Sequence, residues 1–132
     1  LFTKNKKMIT IAGFFLATII ISGLLCDLFK IILGRARPHE YFTQHLYGFY
    51  FWQFHNGFWS CPSGHATTIA AIATAGYILW PRYLWFFIFL FFMVAISRVI
   101  TQQHYLSDVM LGSYLGFITS FWLSHLVKPP ET

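Results

Sequence analysis

The chain has 132 residues, of which 57% are hydrophobic and 21% aromatic, with only 10% charged and a formal net charge of +5. An average soluble domain carries about 25% charged residues, so this composition points to a membrane protein of at most one domain, residues 1–132. The Lys and Arg residues are scattered rather than run together, which argues against a nucleic-acid partner.

Lys4, Lys6 and Lys7 precede an uncharged run from Met8 to Cys26 that is rich in Ile, Leu and Phe. Its roughly nineteen residues rise about 1.5 Å each, or about 28 Å, close to the hydrocarbon thickness of a bilayer. A run this long reads as a retained first span rather than a cleaved leader. Charges resume at Asp27, Lys30, Arg35 and Arg37, where the helix should reach the interface. Gly34 and Pro38 place the helix end between Leu33 and Arg37, and Arg35 and Glu40 read as residues snorkelling to the interface.

The connection from His39 to Cys61 carries no charge after Glu40 and is dense in Tyr, Trp and Phe. Such residues gather at membrane interfaces, so the segment is expected to lie on the bilayer surface, with a short helix broken at Asn56-Gly57. It serves either as a rim guiding a lipid to a site or as an ordinary aromatic belt. His39, His45 and His55 fit no metal-ligand spacing and read as loop histidines. Cys26 and Cys61 also fit no metal spacing; both are expected near one membrane face, and free thiols are favoured over a disulfide because sequence does not supply the geometry one needs.

Pro62-Ser63-Gly64-His65 then opens the second span, which runs to about Trp80. Proline ends what precedes it, serine is a preferred helix cap, and glycine admits close approach to the backbone. Small residues recur at four-residue spacing (Ala66, Ala70, Thr74 and Thr67, Ala71, Ala75), which suits close helix packing in lipid and a central place in the bundle. A turn at Pro81-Arg82 leads to a third span, Tyr83 to Ile100. The fourth, Val109 to Val127, is capped by Ser107, contains Gly112 and Gly116, and is stopped by Lys128-Pro129-Pro130. The expected fold class is therefore all-α, an integral membrane bundle of about four transmembrane helices with an interfacial aromatic loop.

Four alternating spans put both termini on one side, with Lys4, Lys6, Lys7, Arg82 and Lys128. Lys30, Arg35, Arg37 and Arg98 fall on the other. If the second group serves chemistry rather than topology, the termini are cytoplasmic and the charged end faces outward. Lys30, Arg37, Ser63, His65, Ser97, Arg98, His104 and Asp108 all reach that end, and ionisable residues in such a place are functional by default.

The parts suit hydrolysis of a phosphate monoester. Lys and Arg bind phosphate oxygens, and the N–H groups of Ser63, Gly64 and His65 at a helix start could complete a cradle. Asp108, four residues after His104, could hold that imidazole by Nδ1–H and leave Nε2 free to attack phosphorus. His65 could then protonate the leaving oxygen. No Asp/Glu cluster is present for Mg²⁺ or Zn²⁺, so neither metal nor other cofactor is expected.

Lys30-x6-Arg37-Pro38, Pro62-Ser63-Gly64-His65 and Ser97-Arg98-x5-His104-x3-Asp108 together resemble the three-part signature of the type 2 phosphatidic acid phosphatase superfamily, in order and without substitution. The resemblance implies metal-independent hydrolysis of a lipid phosphate or pyrophosphate through a phosphohistidine. It implies His104 as nucleophile, Asp108 as its partner, His65 as general acid, and Lys30, Arg37, Ser63, Gly64 and Arg98 as phosphate ligands. Substrates of the undecaprenyl pyrophosphate, phosphatidylglycerol phosphate, phosphatidic acid or lipid A type are expected, in a bacterial inner membrane with the site on the periplasmic face. Integral members usually have six spans. A chain with four that begins at Leu1 reads as lacking N-terminal helices; were it whole, a homo-oligomer would complete the cleft. The rival readings are a vanadate-dependent haloperoxidase, disfavoured because those enzymes are soluble, and a non-catalytic lipid-binding or transport protein, disfavoured by the intact histidine pair.

Overall fold

A computed structural model describes residues 2–129, with side chains from residue 5 onward. The side chain of Lys4, and Pro130 of the expected helix stop, lie outside the described residues. The described residues form five α-helices and no extended sheet. Helix α1 spans Phe2–Leu33, α2 Pro38–Gln44, α3 Gly64–Leu79, α4 Leu84–Ile100 and α5 Leu106–Val127. Single 3₁₀ turns lie at Asn56–Phe58 and Pro81–Tyr83.

Three segments are long and apolar enough to cross a membrane: Asn5–Leu33, Pro81–Ile100 and Leu106–Val127. The fourth expected span, α3, has only 16 residues. At about 1.5 Å per residue it is about 24 Å long, short of a roughly 30 Å hydrocarbon core. Its length is set by its ends: the Ser63 side chain accepts from the Ala66 N–H at one, and Pro81 follows its last turn at the other. Helix α3 is nevertheless the centre of the bundle, packed by α1, α4 and α5, as its small residues foretell. Ala66, Thr67, Ala70, Ala71 and Ala75 are fully buried.

The closest partner of α3 is α5, and two glycines permit it. A Cβ on Gly112 would come within 2.5 Å of the Ser63 carbonyl, and one on Gly116 would collide with the Thr67 carbonyl and the Ala71 N–H. Ser120 adds a hydrogen bond from its hydroxyl to the Ala71 carbonyl, 2.9 Å. In lipid, where apolar burial between helices gains little, such close backbone approach and interhelical bonds hold the pair. Helices α1 and α4 flank α3 with little direct contact.

The aromatic connection is tied to the end of α1. Gly34 turns the chain with φ of +53°. The chain then doubles back, so the N–H groups of Tyr50, Phe51, Trp52 and Gln53 bond the carbonyls of Gly34, Leu33, Ile32 and Ile31 at 2.9–3.3 Å. Carbonyls a helix end leaves without partners are thereby satisfied. The aromatic side chains then face outward: Phe42, Tyr47, Trp52 and Phe54 are 64–75% exposed, as suits an interfacial segment. The short helix expected here lies at its start, α2, with Pro38 at its first position. Asn56-Gly57 begins a 3₁₀ turn instead of breaking a helix.

Cys26 and Cys61, whose pairing the sequence leaves open, are both buried free thiols, and the Cys26 thiol donates to the Pro62 carbonyl. Two expectations are corrected. Helix α5 begins at Leu106 with Tyr105 as its cap, not Ser107, because Asp108 reaches back to accept the Tyr105 N–H at 2.9 Å. Arg35 and Glu40 do not snorkel: their side chains are only 12% and 13% exposed.

Candidate active site

The ends of α1, α3, α4 and α5 bring every residue singled out in the sequence to one end of the bundle. Arg37 follows the α1 exit, its N–H bonded to the Gly57 carbonyl at 2.9 Å. Its guanidinium is clamped by Gln103 Oε1 at 2.6 Å and Asn56 Oδ1 at 3.0 Å. Arg98, in the last turn of α4, receives the N–H groups of Gln103 and His104 on its carbonyl, 3.2 and 3.3 Å. The Nε atoms of both arginines are buried without a hydrogen-bond partner. Among the described residues neither makes an ion pair. Burial first, then the neighbouring Arg98 charge, pulls the Arg37 guanidinium below its ordinary value. Two arginines within each other's electrostatic field, with no carboxylate in salt-bridge contact, have the chemistry that binds an anion.

Lys30 closes another side. Its Nζ pairs with the exposed Asp27 at 2.9 Å and lies where a Cβ on residue 64 would come within 3.0 Å, so glycine at 64 lets the ammonium approach the start of α3. His65 is exposed, yet desolvation first, and then the charges of Arg98, Lys30 and Arg37, pull its imidazole below the ordinary value. The expected cradle is narrower than three amides, because the Ser63 N–H is taken by the Asp108 carbonyl at 3.0 Å. The Ser63 side chain, fully buried, faces the Ala66 N–H. Gly64 and His65 occupy the first two positions of α3, whose N–H groups have no intrahelical acceptor.

His104 is 5% exposed and lies before the cap of α5. Its Nδ1 is 2.5 Å from the Ser60 carbonyl. A carbonyl only accepts, so Nδ1 carries the hydrogen and the neutral ring keeps its lone pair on Nε2. Burial, outweighing that bond, pushes the imidazole down to about 4, so it is unprotonated at neutral pH.

Asp108 does not hold His104, contrary to the expected pairing. It is fully buried and accepts from Arg35 Nη1, from Ser60 Oγ at 2.5 Å and from the Tyr105 N–H at 2.9 Å. Arg35 also donates to Ser107 Oγ at 2.8 Å, and its guanidinium lies over the Tyr105 ring, 4.3 Å from the centroid. Sequence reasoning missed both Arg35 and Ser60. Cys61 lies beside this network, but burial and then the Asp108 charge push its thiol up to about 12, which removes it as a rival nucleophile.

Two grooves flank these residues. One, about 540 Å³, runs between α1, α3 and α4 past Lys30, His65, Thr68, Ile72, Val94 and Gly23. The other, about 620 Å³, is lined by Tyr41, Phe42, Tyr47, Tyr105 and His104. Among the described residues no group of three His, Cys, Asp or Glu side chains could hold a metal ion.

The class is a helical membrane bundle that gathers Lys30, Arg37, Arg98 and two imidazoles at one end. The chain belongs to the PAP2 superfamily, whose model matches residues 11–130. It is 38% identical over 106 residues to proteins named lipid A 1-phosphatase from Rhizobium johnstonii and from Rhizobium etli. The match covers 80% of this chain but 43% and 46% of those relatives, so the chain spans less than half of their length. No solved structure matches it significantly.

Proposed function

We propose that this chain carries the catalytic site of a lipid phosphatase that removes phosphate from a lipid A type substrate. The observation that carries the reading is a pair of half-buried arginines, Arg37 and Arg98, whose Nε atoms have no hydrogen-bond partner and which make no ion pair among the described residues, at the same end of the bundle as a neutral imidazole with its lone pair on Nε2. The lipid A substrate comes from the two relatives' names; the outward aromatic rim supports a lipid of some kind.

In the proposed reaction Arg37, Arg98, Lys30 and the N–H groups of Gly64 and His65 bind the phosphate oxygens. Ser63 shapes that cradle as the cap of α3. The His104 Nε2 lone pair attacks phosphorus, the bond from phosphorus to the lipid oxygen breaks, and His65, protonated once the bound phosphate dianion offsets the cations around it, supplies the proton that the leaving oxygen needs. Neutral His65 then takes a proton from water as its oxygen attacks phosphorus. The P–N bond breaks, its electrons return to His104, and inorganic phosphate leaves. With the charges at this end assigned to chemistry, the positive-inside rule supports a site on the periplasmic face of a bacterial inner membrane.

In-line displacement puts the leaving oxygen opposite the nucleophile. The lipid body therefore departs on the His65 side, into the groove between α1, α3 and α4, rather than into the aromatic groove beside His104. A Cβ on Gly23 of that groove would meet nothing within 4 Å. Gly23→Phe should thus fold and occlude the groove. Its KM for a long-chain lipid phosphate should rise at least about tenfold, the value of one or two buried methylenes, while turnover of a soluble aryl phosphate stays unchanged. Unchanged KM for the long-chain substrate would move the lipid elsewhere.

The function itself is tested by phosphate release from lipid A, a prenyl pyrophosphate and phosphatidic acid, using the purified protein in detergent micelles. Lipid A is expected to be hydrolysed fastest. Faster release from either other lipid would refute the substrate assignment, and release from none would refute the phosphatase.

A further inference from the structure

We infer that Ser60 is a positioning residue for His104, coupling the buried Arg35–Asp108 ion pair to the imidazole through its own two oxygens. The inference rests on the reading of His104 as the nucleophile. The Ser60 hydroxyl donates to Asp108 Oδ2 at 2.5 Å, and its carbonyl accepts from His104 Nδ1 at 2.5 Å. Its N–H donates to the Arg35 carbonyl at 3.0 Å. All of its polar groups are thus engaged, and the residue is fully buried.

The arrangement has a chemical consequence. A carboxylate touching the imidazole directly would draw the Nδ1 proton and stabilise a charged ring. Here the anion is neutralised by Arg35 and stands one residue away, so His104 meets a neutral carbonyl. That carbonyl fixes the tautomer and the ring plane without favouring protonation as an adjacent carboxylate would. It can do so only if it is itself held still. Asp108 supplies the hold, because a carboxylate bound by a guanidinium and by the N–H of Tyr105, the cap of α5, has little freedom left. Asp108 thereby acts on the imidazole through the Ser60 backbone rather than by contact.

Ser60→Ala keeps the carbonyl and cuts its tether. Removing a group that orients a reactive histidine commonly costs about 10–100-fold, and kcat should fall by that amount. KM should stay within about twofold, since Arg37, Arg98 and Lys30 are untouched. The assay uses the best substrate of the lipid panel in detergent micelles, with His104→Ala alongside. Unchanged kcat in folded Ser60→Ala, with His104→Ala inactive, overturns the coupling and leaves the nucleophile standing. Full activity in His104→Ala removes the nucleophile reading on which the coupling rests. A second measurement does not depend on the variant folding. In ¹⁵N-histidine spectra of the unaltered protein at neutral pH, His104 should show protonated Nδ1 and bare Nε2. The opposite tautomer overturns the inference.

Discussion

Phosphate release is expected to fall by at least about a thousandfold when His104 is replaced by alanine, with the helical content and melting transition retained. The imidazole contributes one hydrogen bond, to the Ser60 carbonyl, and alanine leaves a small cavity rather than an uncompensated charge. The rate loss follows from chemistry: the cations still bind phosphate, but no lone pair is poised against phosphorus. The pH dependence carries the same signature. Because burial pushes His104 down to about 4, it keeps its lone pair throughout the mildly acidic range. On the acid side, kcat/KM should therefore lose this group's contribution only near pH 4, not near the ordinary histidine value of about 6.5. A folded His104→Ala protein retaining a tenth of the activity would rule out the assignment. An acid limb near 6.5 would show that the ring is not desolvated as described.

The second large effect is on stability. Arg35→Ala should destabilise the protein by about 3–5 kcal/mol, because it strands a fully buried carboxylate. Total stabilities of about 5–15 kcal/mol make such a loss visible as a sharply lower melting temperature in detergent. The effect comes from the unpaired charge rather than from the lost bond. Arg35→Met combined with Asp108→Leu should therefore recover most of the stability, although not the activity. Equal losses in the single and double variants would contradict this account.

The helices were legible because lipid imposes length and composition on them, and the uncharged run after Lys7 and the aromatic run of α4 leave few alternatives. The central place of α3 was legible for a related reason, since its small residues are useful mainly where backbones meet. The pairing of His104 with Asp108 misled because four-residue spacing places side chains together only within a helix. Helix α5 begins at Leu106, so His104 lies before the cap and its ring turns to Ser60. Arg35 lies 73 residues from its partner, and a lone arginine at an α1 exit reads equally as a snorkelling residue. Gly34, in the positive-φ turn immediately before it, gives no hint of where the arginine points. Ser60 carried no signal, being a serine at the end of an aromatic segment whose role depends on its carbonyl as much as on its hydroxyl.

The central claim is attack by the His104 imidazole on phosphorus, and trapping the intermediate tests it most directly. The purified protein would be mixed with lipid A carrying ³²P in its phosphates, quenched during turnover, digested, and its labelled peptides mapped. The account predicts an acid-labile, base-stable phosphoramidate on the peptide containing His104 that disappears on a chase with unlabelled substrate. Turnover with no label on that peptide, or with label on another residue, would contradict it.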